Sequence, residues 1–85
     1  MANERYDEIA ATMRAMVAAR GVGKTICPSE VARAVAPEAW RELMPEVREV
    51  ARTLARVGEV VVTQRGVVLG PDWEWRGAVR IGPPR

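Results

Sequence analysis

Arg48, Arg52 and Arg56 recur every four residues in the second half of this 85-residue chain. On a helix that spacing places all three on one face. A guanidinium presents five N–H donors in a planar fork, which suits phosphate oxygens and the acceptor edge of guanine. A helix bearing three of them has the chemistry to bind nucleic acid. Arg41 falls near the same face. Arg65 stands at the tip of an expected hairpin and Lys24 in an expected loop, where each is suited to a backbone phosphate. A plainer reading competes with this one. Glu46 and Glu49 lie among the arginines, and Glu49 stands three residues before Arg52, as in many solvated, ion-paired faces. Such pairs contribute about 0–1 kcal/mol, so they do not hold the arginines away from another anion.

Composition narrows the chemistry further. There are 13 Lys and Arg against 11 Asp and Glu, a formal charge of +2. That excess is modest, so clustering after folding matters more than the total. The chain has no His and a single Cys. Ser-His and Cys-His catalysis within one chain are excluded, as is an internal disulfide, and a structural zinc site has too few ligands. No cofactor is implied, no paired carboxylates form a recognisable catalytic constellation, and a non-enzyme is expected. No apolar run reaches membrane-spanning length, and the N-terminus does not read as a signal peptide. The expectation is a cytoplasmic protein with no membrane partner. The aromatic residues are Tyr6, Trp40, Trp73 and Trp75. The core must therefore come from Val, Ala, Leu, Ile and Met.

These side chains need elements to position them. Asn3 suits an N-cap, with Glu4, Asp7 and Glu8 near the first turn. Ile9, Met13, Met16 and Val17 then form an apolar stripe, stopped by Gly21 and Gly23. Lys24 to Cys27 is rich in β-formers and reads as a short edge strand. Pro28 opens a second helix, with Glu30 at its third position and either Cys27 or Ser29 as cap. Val31, Ala34 and Val35 are its expected buried face, and Pro37 ends it. Glu38 to Leu43 reads as one or two helical turns. Pro45 is expected to open the third helix, whose inward face is Val47, Val50, Ala51, Leu54 and Val57. Gly58 caps it. Val60 to Thr63 and Val67 to Leu69 are strands about an Arg65-Gly66 turn. Ala78 to Ile81 is a further strand segment, and residues 82–85 a frayed end.

Helix, short strand, helix, helix, hairpin is the order of a winged helix-turn-helix. The fold class is α+β: a three-helix core with a short edge strand and a C-terminal β-hairpin wing, in one domain over residues 1–85. The mechanism that follows is docking of the third helix in the major groove, with the wing on the flanking backbone.

Three other features invite chemistry. Gly21-Val22-Gly23-Lys24-Thr25 resembles the end of a phosphate loop, but Ala18 stands where the first Gly belongs. A helix rather than a strand precedes it. A helix stop with a loop lysine is the better reading. Cys27 at a helix start favours a thiolate, yet without a second Cys or a His it reads as a small buried residue. Trp40 is expected to anchor the junction of helices two and three. Trp73 and Trp75 flank Glu74 and are expected to pack the wing onto the body; exposed, they would form a stacking or partner-binding patch.

The strings from Arg20 to Arg33, Trp40-Arg41-Glu42-Leu43-Met44, Val47-Arg48, Thr63-Gln64-Arg65-Gly66 and Gly77-Ala78-Val79-Arg80-Ile81 resemble a family of small bacterial proteins. That family is known only as a domain of unknown function with winged-helix-like architecture. One position departs: Ala78 stands where Pro is expected after Gly77. The resemblance implies the fold and supplies no substrate. Two functions therefore stay open, namely binding of nucleic acid, duplex DNA first, and a protein-interaction module on the same scaffold. An accessory role in RNA modification and the oligomeric state are left open as well.

Overall fold

The computed structural model describes residues 4–84. The three helices are α1 (Glu4–Arg20), α2 (Pro28–Val35) and α3 (Trp40–Arg56), and the strands are β1 (Val61–Gln64), β2 (Val67–Val68) and β3 (Arg80–Gly82). This is an α+β fold, and the arrangement is compatible with a winged helix-turn-helix.

α1 has Glu4 and Asp7 in its first turn and Arg20 in its last, each matched to the nearer pole of the helix dipole. The Asn3 cap expected from the sequence lies outside the described residues. Ile9, Ala10, Met13 and Val17 are its buried residues, and Met16 is half-buried. Gly21 ends the helix at φ 100°, a conformation that costs glycine little.

α2 starts at Pro28 with Cys27 as cap rather than Ser29. Glu30 explains the choice. Its Oε2 accepts the Cys27 amide at 2.7 Å, so the side chain at the third position satisfies the backbone N–H of the cap residue. Pro28, Val31 and Ala32 are the buried residues. Ala34 is exposed and Val35 half-buried, so the buried face is rotated from the expected one.

α3 begins at Trp40, not at Pro45, which lies inside it. Pro45 is exposed on the outer face and lacks only the N–H that would reach the Arg41 carbonyl. The apolar spacing already starts one turn earlier. Buried Leu43 is four residues before Val47, and Val50, Ala51 and Leu54 continue the stripe. That burial draws residues 40–44 into one helix with the rest. Val57, expected to face inward, is exposed at the C-cap.

The sheet is antiparallel in the order β2-β1-β3. Arg65 at φ 52° and Gly66 at φ 81° form the two-residue turn between β1 and β2. Two successive positive φ values match the right-handed twist of a tight hairpin. The expected edge strand at Lys24 to Cys27 is reduced to one bridge, Ile26 to Ile81. Gly82, expected in a frayed end, is buried and pairs with Val61. Ile9, Met13, Val31, Val47, Leu54, Val62 and Ile81 are fully buried, and they join all three helices to the sheet. Each such side chain contributes about 1.5–3 kcal/mol of burial free energy.

β2 and β3 flank β1 on opposite sides, so residues 69–79 must cross the sheet. They do so as an irregular strap lying against α3.

Candidate nucleic-acid interface

The four-residue spacing does place Arg48, Arg52 and Arg56 on one side of α3, and that side faces the strap. Arg48 donates to the carbonyls of Trp75 at 2.7 Å and Gly77 at 3.1 Å. Arg52 donates to the carbonyls of Pro71 and Trp73, and its guanidinium lies 4.2 Å from the centroid of the Trp75 ring. Its Nε also approaches Glu49 at 3.5 Å, the pairing expected from their spacing. Arg56 meets Asp72 at 2.7 Å. The three arginines thus fasten an irregular segment along the helix. The Arg52 side chain is only 19% exposed, so little of it faces a ligand. No local sequence signal marks this role, because the acceptors are mostly backbone carbonyls some twenty to thirty residues away.

Arg48 differs from its neighbours. It bonds carbonyls only and has no carboxylate partner among the described residues. Its charge is uncompensated and its position fixed. The same stretch of strap is held from the other side by Gln64, whose Nε2 donates to the carbonyls of Arg76 and Ala78. Gln64 is the residue before the hairpin tip. The knot therefore joins α3 at Arg48 and β1 at Gln64 to the strap on either side of Arg76, and Arg65 follows Gln64 in the chain. Arg65 is exposed and has no acceptor among the described residues. Arg76 faces only Glu74, at 3.4 Å between two strongly exposed side chains. Arg76 was not among the candidate residues read from the sequence. Nothing in its neighbourhood distinguishes it until the strap is folded.

Arg41 lies seven residues before Arg48, about 10 Å along the helix and on nearly the same face. Its guanidinium is 4.5 Å from the centroid of the Trp40 ring, and that of Arg33, near the end of α2, is 4.3 Å away. Trp40 is half-buried and packs on the core, the anchoring role expected of it. Its indole also holds two cations at the α2–α3 junction, neither with a carboxylate partner among the described residues. Exposed Glu38 and Glu42 are nearby in sequence and temper the field there.

Lys24 lies elsewhere. Its carbonyl comes within 3.5 Å of where a Gly82 side chain would begin, and Gly82 pairs with Val61, the first residue of β1. Arg65 follows the last residue of β1, so the two cations stand at opposite ends of that strand. The two tryptophans of the strap also separate. Trp75 is 7% exposed and donates its indole N–H to the Gly70 carbonyl at 2.9 Å, whereas Trp73 is 57% exposed. Trp75 packs onto the body as expected, and Trp73 does not.

A second arginine cluster joins α1, α2 and β3. Arg80 donates to the Thr25 hydroxyl and carbonyl and to the Cys27 sulfur. Arg20 donates to the Thr25 carbonyl and pairs with Glu30. Cys27 is half-exposed rather than buried. The Glu30 carboxyl is held below its ordinary value, first by the Cys27 amide and then by Arg20 and Arg80, against the opposing effect of burial.

Among the described residues no three His, Cys, Asp or Glu side chains gather to hold a metal ion. No helix is long and apolar enough to cross a membrane. No curated protein matches the chain. A family model described as a protein of unknown function, DUF3253, matches residues 6–84. That span runs from the first turn of α1 through all three helices and the whole sheet to Pro84, and the chain accordingly belongs to the DUF3253 family.

Proposed function

We propose that this protein is a non-enzymatic nucleic-acid-binding module of winged-helix type, with duplex DNA as its first ligand. The observation that supports this reading is the knot at Gln64, which ties Arg48 to the strap beside Arg76 and next in sequence to Arg65, with one weakly engaged carboxylate, Glu74. Arg33 and Arg41 extend the cationic surface toward the start of α3. Helix-turn-helix proteins present that end of the recognition helix to the groove, and a wing beside it meets the flanking backbone. Arg52 and Arg56 are fasteners in this reading, and Lys24 lies outside it. In this reading the protein acts in the cytoplasm, positioned by phosphate contacts and made specific by base-edge contacts.

The test uses a labelled mixed-sequence duplex and fluorescence anisotropy at low and moderate salt. Arg41→Gln, Arg65→Gln and Arg76→Gln leave the strap bonds of Arg48 and Arg52 in place. Combined, they should weaken binding at least tenfold at low salt, each lost phosphate contact also flattening the salt dependence. Absence of binding at tens of micromolar protein in low salt refutes the proposal.

One observation favours a second reading, a protein-interaction module. Val67, Val68 and Trp73 are large apolar side chains left exposed at the β2 edge and the adjoining strap. An open strand edge with apolar flanks accepts another strand. This reading gains if the duplex does not bind and Trp73→Ser abolishes a self- or partner association.

A further inference from the structure

The loop after α1 and the end of β3 enclose a small cavity of about 280 Å³. Its walls include Val22, Val61, Pro83 and Pro84, and its polar residues are Lys24, Thr25 and Thr63. This volume is near the lower end for ligand pockets, which begin at about 300 Å³. Gly82 also lines it, and a β-carbon there would come within 3.1 Å of the Thr25 methyl. Glycine thus keeps this wall of the cavity open.

Two polar groups at this cavity have no work elsewhere. Thr63 is 7% exposed, and its hydroxyl has no hydrogen-bond partner among the described residues. No fully enclosed side-chain oxygen or nitrogen among those residues lacks a partner, so this hydroxyl opens onto the cavity it lines. Open to the cavity, this hydroxyl can exchange water for a bound donor or acceptor at little cost. Lys24 is exposed and has no carboxylate partner among the described residues. The site therefore joins one ammonium, one hydroxyl with no protein partner among the described residues, and apolar walls. Arg80, opposite Thr63 in the sheet, is already bonded to Thr25 and Cys27, which leaves Lys24 as the cation free for an anion. A single free cation matches a monoanion, whereas a phosphate dianion calls for several donors. Apolar walls require that the anion bear a hydrocarbon body.

We propose that this cavity binds a small monocarboxylate with an apolar body, its carboxylate at Lys24 and Thr63 and its hydrocarbon part against Val22 and the two prolines. Thr63 is next to Gln64 in β1, but successive strand side chains point to opposite faces, so the cavity is on the other face of the strand from the knot and does not depend on nucleic-acid binding. Titration of the labelled full chain with benzoate, followed by amide nitrogen–proton correlation spectra, tests it. Acetate and benzyl alcohol serve as the anion-only and apolar-only probes. Benzoate should give saturable shifts at the Gly23, Lys24 and Gly82 amides in the millimolar range, with each half-probe at least several-fold weaker. Lys24→Gln should raise the benzoate dissociation constant by about fivefold, the upper end for an exposed ion pair. Thr63→Val should weaken it as well. Lys24 is exposed, so its variant decides the question even if Thr63→Val disturbs the strand. No saturable shift with benzoate, equal affinity for benzyl alcohol, or an unchanged constant in Lys24→Gln would each overturn the proposal.

Discussion

Arg52 shows how one side chain can serve two readings. In the sequence it is the middle member of a basic stripe. In the fold its guanidinium donates to two strap carbonyls, lies over the Trp75 ring and approaches Glu49. Lysine keeps the charge but lacks the planar fork, so it cannot reproduce that geometry. Arg52→Lys should therefore destabilise the protein by about 1–3 kcal/mol, the range for lost hydrogen bonds to a charged group. Arg56→Ala removes one exposed ion pair and should cost no more than about 1 kcal/mol. Urea denaturation of the two variants measures the contrast. Equal costs would mean that the strap is not fastened chiefly by Arg52. The same distinction explains why the basic face was legible and its use was not. Four-residue spacing reports which side chains share a face. It carries no information on backbone carbonyls that approach from residues 71–77.

At the scale of elements, legibility followed the source of each element's stability. α1 and α3 carry long apolar stripes that are legible in the sequence, as is the hairpin, whose Arg65-Gly66 turn is a local signal. Two boundaries moved because tertiary burial outweighed local preference. Leu43 belongs to the core, so α3 runs back through Pro45 to Trp40. Ile26 pairs with Ile81, 55 residues on, and only one residue of the expected edge strand is held. The start of α2 was legible in part, since Pro28 and Glu30 stand at the right offsets. What the spacing did not reveal is that Arg20 and Arg80 converge on the same carboxylate and its surroundings. This convergence gives α2 a pH dependence. The Glu30 carboxyl titrates below its ordinary 4.5 in the folded chain. Its contribution is therefore present above about pH 4.5 and is lost as pH falls through the lower, folded value. Glu30→Gln keeps a neutral acceptor for the Cys27 amide but loses the attraction of the two arginines. The variant should be modestly less stable than wild type at pH 7, and the gap should close below pH 4.5. Urea midpoints across pH 7 to 3 check the sign. A gap that widens on acidification would contradict it.

For the whole molecule, the question is how a chain with a net charge of only +2 could bind a polyanion. The answer lies in which cations the fold leaves uncompensated. Arg14 pairs with Glu59, Arg20 with Glu30 and Arg56 with Asp72, while Arg52 and Arg80 are taken up by internal acceptors. Among the described residues, Arg33 near the end of α2 and Arg41, Arg48 and Arg65 along α3 and its flanking hairpin have no carboxylate partner, Arg48 being bonded to strap carbonyls, and Arg76 joins them with its loose contact to Glu74. Salt dependence counts such contacts directly. Each neutralised phosphate adds about −0.9 to the slope of log K against log salt, so three or four contacts give about −3 to −4. Affinity should therefore fall roughly a hundredfold between 50 and 200 mM salt. Arg41→Gln and Arg65→Gln should each reduce the slope by about one. Arg52→Lys should lower stability while leaving the slope unchanged, because Arg52 serves the strap and not the ligand. A slope that drops in Arg52→Lys as much as in Arg65→Gln would mean that the strap yields its arginines to the nucleic acid. The contact surface would then be the α3 face itself and not the knot at its edge.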